Sequence, residues 1–271
     1  MRVGVKPGQW GWSFEQLTLA WARIEALGFD LLSCFDHVSA QPEGHAAWDA
    51  PTLLAAMAGR THRVVLSVDV INIALRNPFL LAAQLAVAQA ASGGRLEVGL
   101  GAGSYALARH DHASLGIPFP KLSERIARLD ACARVFPSLW RGESVTDASL
   151  GLHRASLGPL GISPLPLIIG GTSPAVLDTA VRHGDGWNVS IESVDEYAEQ
   201  TRVVNELCVR RERGRPLLRH VQVFADALTP VAARELLSRL VDQGATTVVF
   251  VFHRNQDLAA IDRLADQVVG R

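Results

Sequence analysis

The sequence has few cysteines, little net charge and no long uninterrupted hydrophobic run, and each absence excludes a class of protein. Its three cysteines are odd in number and lie far apart, which favours neither a disulfide framework nor a zinc site. A net charge of −1 provides no overall field that would attract nucleic acid or an anionic membrane. The most apolar stretch, residues 80–91, contains Gln84 and Gln89 and is too short to span a bilayer. The first residues follow a strand pattern and not that of a signal peptide, so we expect a cytoplasmic protein.

What the chain does contain is a regular alternation of short β-branched runs with amphipathic runs. Hydrophobic residues make up 48% of the sequence, which is ample for a folded core. The strict alternation indicates a parallel sheet, and eight strand–helix units are the number that closes a (β/α)8 TIM barrel of the α/β class. A doubly wound open sheet is the alternative. No linker divides the chain, so we predict one domain over residues 1–271. The predicted strands are residues 3–6, 30–35, 64–71, 96–100, 165–169, 186–189, 221–225 and 246–252.

Local signals place two helix starts and two irregular segments. Ser13 and Gln16 form a capping-box pattern, and Asn77 followed by Pro78 is typical of a cap and first turn. Residues 141–164 contain glycines and prolines without a strong period, which predicts a connection without regular structure. Residues around 110–112 are predicted to form a loop.

In a barrel of this kind, the chemistry belongs to the residues that follow each strand. Asp36 and His37 come directly after the second predicted strand. A carboxylate beside an imidazole can exchange protons near neutral pH or hold one tautomer of the histidine, although such pairs are common on surfaces without any function. The His-Asp-His sequence at 110–112 resembles a metal cluster, but no further ligand stands at the neighbouring strand ends. We therefore predict no metal site.

Two glycine-rich turns follow the fourth and fifth predicted strands. Such turns let backbone amides approach an anion, and in the second turn a helix N-terminus adds unsatisfied N–H groups and the positive end of its dipole. The first turn does not fit a dinucleotide-binding fingerprint, because its third glycine position is Ser104. Ordinary helix capping is the alternative explanation of the second turn. The predicted phosphate-contacting residues are Gly101, Ala102, Gly103, Ser104, Gly170, Gly171 and Thr172.

Tryptophans lie near two of the strand ends. Trp10 and Trp12 follow the first strand among glycines, and they suit either the rim of a site for a planar ligand or a lid packed on the barrel. Trp187 lies in the sixth predicted strand, where it fits a wall of the same pocket. Pure packing explains Trp187 equally well.

Taken together, these segments resemble the luciferase-like monooxygenase superfamily, and specifically its branch that uses coenzyme F420, a deazaflavin. The resemblance extends over nearly the whole of the first 190 residues, in pieces that are short but ordered and spaced as in the family. The matching segments are residues 5–9, 11–12, 25–30, 35–38, 76–78, 92–96, 99–103, 115–120, 139–140, 168–171 and 185–188.

The resemblance implies a barrel that holds a flavin ring at its mouth, with the cofactor phosphate bound by the turns after strands four and five. It implies that His37 lies beside the ring. In the main functional hypothesis, His37 is the acid or base and Asp36 orients it. The family commonly has a non-prolyl cis peptide at the end of strand three, which presses a bulge against the ring. The corresponding bond here joins Asp69 to Val70, so both residues are predicted to contact the cofactor.

Three positions depart from the family pattern. Asp69 replaces a small neutral residue, which predicts an acid where the ring would lie. Ser104 replaces an aromatic residue, and the acidic residue usually found just beyond it is absent from residues 105–108. The connection at 141–164 lacks the usual strand-like insert, which predicts a more open substrate pocket.

The resemblance leads to one main functional hypothesis and two alternatives. The main hypothesis is an oxidoreductase that transfers hydride between reduced F420 and a small organic substrate. The first alternative is a monooxygenase of the same fold that uses reduced FMN and O₂. The second is a non-catalytic barrel that binds a flavin or serves as a partner subunit. A homodimer is expected by analogy with related barrels.

Overall fold

A computed structural model describes residues 1–39, 47–103, 106–225, 228–252 and 258–270 of the chain. Eight parallel strands close into a barrel, so the predicted (β/α)8 fold is confirmed. Around the barrel the strands follow the order β1-β2-β3-β4-β7-β8-β9-β10, and β10 pairs with β1 to complete the ring. The strands are β1 (Arg2–Pro7), β2 (Leu31–Cys34), β3 (Val65–Asn72), β4 (Leu96–Gly101), β5 (Val145–Asp147), β6 (Leu152–Ala155), β7 (Leu167–Gly170), β8 (Gly186–Ile191), β9 (Leu218–Phe224) and β10 (Thr247–Phe252).

The helices pack around the barrel and bury apolar faces against it. The local signals at two of their starts are confirmed: Ser13 and Gln16 form a reciprocal capping box, and the side chain of Asn77 accepts a bond from the backbone of Leu80. Among the described residues, no helix is long and apolar enough to cross a membrane. The helices are α1 (Phe14–Ala26), α2 (Ala50–Ala58), α3 (Pro78–Ala91), α4 (Ala106–Ser114), α5 (Leu122–Trp140), α6 (Pro174–His183), α7 (Val194–Arg210), α8 (Pro230–Asp242) and α9 (Leu258–Val268).

Two segments differ from the sequence-based prediction. The loop expected around residues 110–112 is part of α4, whose buried face includes Ala108, Asp111 and His112. Polar side chains on that face conceal the helical period, because periodicity is detected through apolar residues. The connection at 141–164 contains β5 and β6, which pair as a small antiparallel hairpin. Strands of three and four residues are too short to produce a recognisable alternation.

The interior of the barrel is polar and not filled mainly with branched aliphatic side chains. The Lys6 ammonium donates to the carbonyl of Asp69 at 2.5 Å and to Oε1 of Gln222 at 2.7 Å. The Asp69 carboxylate accepts from the hydroxyls of Ser33 at 2.7 Å and Ser67 at 3.0 Å. Burial lowers the pKa of Lys6 to about 8, although the charge of Asp69 opposes this shift. The barrel therefore encloses ionisable groups beneath its mouth.

Candidate active site at the barrel mouth

His37 lies just beyond the end of β2, at the carboxyl edge of the barrel where residues from several strand ends meet. Its Nδ1 atom is 2.7 Å from Oδ2 of Asp111, which α4 brings to the mouth. The imidazole remains partly exposed, at 16% of its side-chain surface, whereas the Asp111 side chain is fully buried. A partly exposed imidazole with a buried carboxylate partner is an arrangement suited to proton transfer.

Asp36 does not bond to His37, and the prediction that it orients the histidine is wrong. Both carboxylate oxygens of Asp36 accept from the Arg76 guanidinium, at 2.7 and 2.6 Å, and one of them also accepts from the backbone N–H of Asn72. Adjacent residues in extended chain project in opposite directions, so Asp36 turns inward to Arg76 while His37 turns towards α4. Asp36 ties the end of β2 to the segment after β3.

The tryptophans after β1 pack on the barrel. Trp10 and Trp12 are each 5% exposed, which favours the lid interpretation over an open rim. The Trp10 ring lies 5.8 Å from the imidazole of His37, with 31° between their planes, and 4.6 Å from the ring of Phe35. Gln9 brackets the backbone of Phe35, because its side chain donates to the carbonyl and accepts from the N–H of that residue. This segment holds the end of β2 in place.

The Asp69–Val70 peptide bond is cis, as the family resemblance implied, and the register of β3 against β4 shifts between Val68 and Ile71. The Asp69 carboxylate lies inside the barrel, where it accepts from the hydroxyls of Ser33 and Ser67 beneath the mouth. Val70 is the residue of this pair that reaches the strand ends.

The glycines at the ends of β4 and β7 make room for Val70. A Cβ on Gly101 would come within 2.4 Å of Cγ2 of Val70, and one on Gly170 would come within 2.6 Å of Cγ1. A Cβ on Gly99 would come within 2.2 Å of the carbonyl oxygen of Val68, so this position has no room for a side chain. Packing alone therefore accounts for these glycines, whatever they contribute to ligand binding.

Beyond β4, two arginines surround the glycine turn. The Arg125 guanidinium donates to the carbonyl of Gly103 and lies 4.0 Å from the centre of the Phe119 ring. Arg109 approaches the same ring at 4.9 Å. Arg125 is 5% exposed, and its Nε is buried without a hydrogen-bond partner in the described part of the chain. No carboxylate among the described residues forms an ion pair with either arginine, so within the described part of the chain the positive charge beside the turn is not neutralised.

The turn after β7 also presents a donor without a partner. Ser173 stands at the N-cap of α6, yet its hydroxyl makes no capping bond and is buried without a partner among the described residues. Gly171 has φ of +135°, a backbone conformation that residues with a side chain rarely adopt. The next residue, Thr172, is exposed. The first amides of α6 and a free hydroxyl therefore meet at one point, which suits an anion.

Trp187 does not line the mouth. Its side chain is fully buried between β8 and α7, where it stacks on Tyr197 with 6.2 Å between ring centres. Alternation along β8 directs Trp187 outward and its neighbour Asn188 into the barrel. The indole N–H donates to the carbonyl of Gly171 at 2.8 Å, so Trp187 supports the turn from behind.

The structure thus brings His37, Val70, Gly101, Ala102, Gly103, Gly170, Gly171 and Thr172 to one end of the barrel, while Ser104 lies outside the described residues. Sequence reasoning did not assign Asp111 or the arginine pair to the site. The only signal for Asp111 was its place between two histidines, which suggested a metal. His112 instead uses Nδ1 to contact the carbonyl of Pro118 at 2.7 Å.

Comparisons with known proteins agree with this geometry. The luciferase-like monooxygenase family matches the chain over residues 4–266. An F420-dependent glucose-6-phosphate dehydrogenase from Intrasporangium calvum is 33% identical over 207 residues, which cover 74% of this chain and 61% of that relative. The chain therefore spans less than two thirds of the length of the curated relatives it matches.

Two solved structures share the whole fold. The F420-dependent tetrahydromethanopterin reductase from Methanopyrus kandleri superposes with a TM-score of 0.80 at 16% identity, over 98% of both chains. The FMN complex of the oxygenating constituent of 3,6-diketocamphane monooxygenase from Pseudomonas putida gives 0.74 at 15% identity, over 100% of this chain and 98% of that chain. At these identities the likeness establishes the fold alone. From the barrel, its mouth and the match over residues 4–266, the chain belongs to the luciferase-like monooxygenase family.

Proposed function

We propose that this protein is an F420-dependent oxidoreductase that transfers hydride between the deazaflavin and a small organic substrate. The observation that carries the proposal is the contact between His37 and the buried Asp111, at the end of the barrel where the family performs its chemistry. The printed names of the relatives support the choice of F420, since the curated matches include F420-dependent glucose-6-phosphate dehydrogenases from several organisms.

The residues at the mouth fit a cofactor with an anionic side chain. The Nε of Arg125 and the hydroxyl of Ser173 are buried donors without partners among the described residues, and each lies beside one of the two glycine turns. A buried donor without a partner destabilises the folded protein by about 1–3 kcal/mol. A phosphate or carboxylate that accepts from these donors would remove that cost. We assign Arg125, Arg109, Ser173 and the first amides of α6 to the anionic portion of the cofactor and Val70 to its ring.

When bound, the deazaflavin supplies a ring carbon that accepts or gives up a hydride. The protein's own contribution is to orient and to move a proton. His37 accepts the hydroxyl proton of an alcohol substrate while the carbon that bears this hydroxyl loses hydride. In the reverse reaction, His37 returns a proton to the oxygen of a carbonyl substrate. Val70, the two turns and the packed tryptophans fix the orientation of the reactants relative to His37.

Fluorescence titration of the purified protein with F420, and separately with FMN, tests the proposal. We expect saturable binding of F420 with weaker binding of FMN, and hydride exchange with alcohol or carbonyl substrates in the presence of F420. Preference for FMN, with O₂ consumption coupled to FMNH₂ oxidation, would replace the proposal with the monooxygenase alternative. Binding of neither cofactor by the folded protein would favour the non-catalytic alternative.

We also propose that the protein forms a homodimer through the outer faces of α2 and α3. These neighbouring helices contain no Asp, Glu, Lys or Arg, whereas α7 carries six charged residues. On α3, Leu80 is 57% exposed and Val87 is 62% exposed, one above the other on the same face. An uncharged outer face of two adjacent helices is typical of a surface that another protein covers.

Light scattering after size-exclusion chromatography tests the dimer. We expect twice the mass of one chain for the unaltered protein and a single-chain mass for a Leu80→Lys, Val87→Lys double variant. Val231→Lys on α8, at an equally exposed apolar position of 61%, serves as the control and should leave the dimer intact. A single-chain mass for the unaltered protein would disprove the proposed dimer.

A further inference from the structure

We propose that Asp111 is the positioning residue of the proton-transfer site: it holds His37 in the tautomer whose proton is on Nδ1, so that Nε2 exchanges the substrate proton. The inference rests on the proposed function for the chemistry that Nε2 performs. The tautomer itself follows from the contacts of the cofactor-free protein and can be measured there.

The surroundings of Asp111 require it to act as an acceptor. Its Oδ1 accepts from the backbone N–H groups of Val38 at 3.1 Å and Ser39 at 3.0 Å, and from the hydroxyl of Ser39 at 2.6 Å. Its Oδ2 is left for Nδ1 of His37 at 2.7 Å. An ionised carboxylate has no hydrogen to donate, so the proton in the contact between Oδ2 and the imidazole belongs to Nδ1.

The ionisation of Asp111 is supported by the balance of burial and bonding. Burial of the carboxyl by itself favours the neutral form. The hydrogen bonds from His37 and Ser39 outweigh that effect, and the pKa of Asp111 is lowered as a result. The carboxylate is therefore charged at neutral pH, and a neutral His37 must carry its hydrogen on Nδ1.

The remaining contacts of the ring leave Nε2 as the nitrogen that can react. Trp10 lies against the ring with its centre 5.8 Å away, which restricts rotation of the imidazole. Nε2 forms no hydrogen bond to any residue that the structure describes, and the side chain is 16% exposed. In a neutral imidazole with hydrogen on Nδ1, Nε2 has the free lone pair. The ring is thus prepared to accept a proton on its exposed side.

Asp36 cannot substitute for Asp111 in this role. The Arg76 guanidinium neutralises both of its oxygens, and Arg76 also bonds to Asp49 at 2.7 Å. The carboxylate next to His37 in sequence is consequently committed to a different element. The one that acts on the histidine comes from α4, more than seventy residues away in sequence.

Nitrogen-15 NMR of the cofactor-free protein tests the tautomer directly. The chain has nine histidines, so the His37 signals are assigned by their loss in His37→Gln. We expect the neutral ring of His37 in the unaltered protein to carry its hydrogen on Nδ1 and none on Nε2. A ring with its proton on Nε2 would overturn the inference without any reference to the cofactor.

Asp111→Asn extends the test, since the amide has nearly the same shape but offers both a donor and an acceptor. We expect mixed tautomers of His37, a loss of kcat of about 10²-fold or more, and an F420 affinity within about twofold of the unaltered protein. In serine protease triads, the same change traps the wrong tautomer and reduces kcat by about 10⁴-fold. An Asp111→Asn protein that keeps hydrogen on Nδ1, or keeps full kcat, would overturn the inference.

Ser39→Ala is the matched control, because it removes one hydrogen bond from the same carboxylate and leaves the contact with His37. We expect a lower melting temperature and an unchanged tautomer. A change of tautomer in Ser39→Ala would mean that general disruption of the cluster, and not the carboxylate contact, controls the ring. If the unaltered protein has the expected tautomer but neither binds F420 nor transfers hydride, the proposed function fails while the assignment of the tautomer stands.

Discussion

Two histidines lie near carboxylates at opposite ends of this barrel, and their surroundings differ. At the mouth, His37 is partly exposed and contacts Asp111 at 2.7 Å. Inside the barrel, His220 is fully buried, and its Nε2 lies 3.4 Å from Glu97. The carboxylate of Glu97 also accepts two hydrogen bonds from Arg2, at 2.6 and 3.1 Å.

What each histidine can do depends on whether a cation also binds its carboxylate partner. No Lys or Arg among the described residues pairs with Asp111, so its carboxylate is available to hold and polarise His37. With Arg2 on Glu97, the pair is nearly neutral, and burial lowers the pKa of His220 against the weaker opposing effects of Asp69 and Glu97. Its Nδ1 has no partner among the described residues. The same two residue types therefore form a reactive pair at the carboxyl end and a structural cluster in the interior, in keeping with the division of labour in these barrels.

The largest expected effect comes from removing the histidine at the mouth. His37→Ala should reduce turnover by about 10²- to 10⁴-fold, because a positioned acid or base contributes that much to a proton-transfer reaction. Affinity for F420 should be largely retained, since the anionic part of the cofactor is assigned to the turns after β4 and β7. Steady-state kinetics and fluorescence titration check both statements, and unchanged turnover would remove His37 from the mechanism.

The next effect separates stability from activity at the interior cluster. Arg2→Ala leaves the nearly buried carboxylate of Glu97 without its cation, and we expect the free energy of unfolding to fall by about 2 kcal/mol. Urea denaturation measures this loss, and turnover per folded molecule should be unchanged. A marked loss of turnover at constant stability would contradict the assignment of a structural role to this cluster.

A smaller effect concerns the pH dependence of stability. The pKa of His220 is lowered from its ordinary value of 6.5 in the folded protein, so the unfolded chain binds the proton more tightly. The contribution of His220 to the free energy of unfolding is therefore fully present above about pH 6.5 and is lost as the pH falls below that value. His220→Gln should flatten the stability profile below about pH 6.5. Profiles of equal slope for the two proteins would show that His220 is not the group responsible.

The smallest effect tests the unpaired charge near the turn after β4. Arg109 is exposed, so Arg109→Gln should weaken F420 binding only by about two- to fivefold, and less at high salt. Arg60→Gln, an exposed arginine at the end of α2, is the control and should leave the affinity unchanged. Equal affinities for all three proteins would exclude Arg109 from the cofactor site.

Much of the frame could be predicted from local sequence. The strand–helix alternation predicted the barrel, and the capping residues Ser13, Gln16 and Asn77 predicted two helix starts that the structure confirms. These features depend on neighbours within a few residues, which a sequence displays directly. The hairpin of β5 and β6 could not be predicted in the same way, because its short strands are stabilised by pairing and not by their own composition.

The site itself was only partly predictable. The position of His37 after β2 placed it at the mouth, because every residue that follows a parallel strand lies at that end of a barrel. The partner of His37 was wrongly predicted, since proximity in sequence favoured Asp36 and the helical α4 was taken for a loop. Likewise, the glycines at the ends of β4 and β7 suggested phosphate contact. The structure shows that the Val70 side chain packs against them and leaves no room for a Cβ.

By itself, the sequence determined the fold class and the segments that follow each strand at the mouth, because periodicity and chain order fix which segments become strands and where each strand ends. Only the tertiary structure decided which carboxylate meets which cation or imidazole. Pairing depends on the direction of each side chain and on contacts between distant elements. In the folded protein, Asp36 pairs with Arg76, Glu97 pairs with Arg2, and Asp111 on α4 pairs with His37.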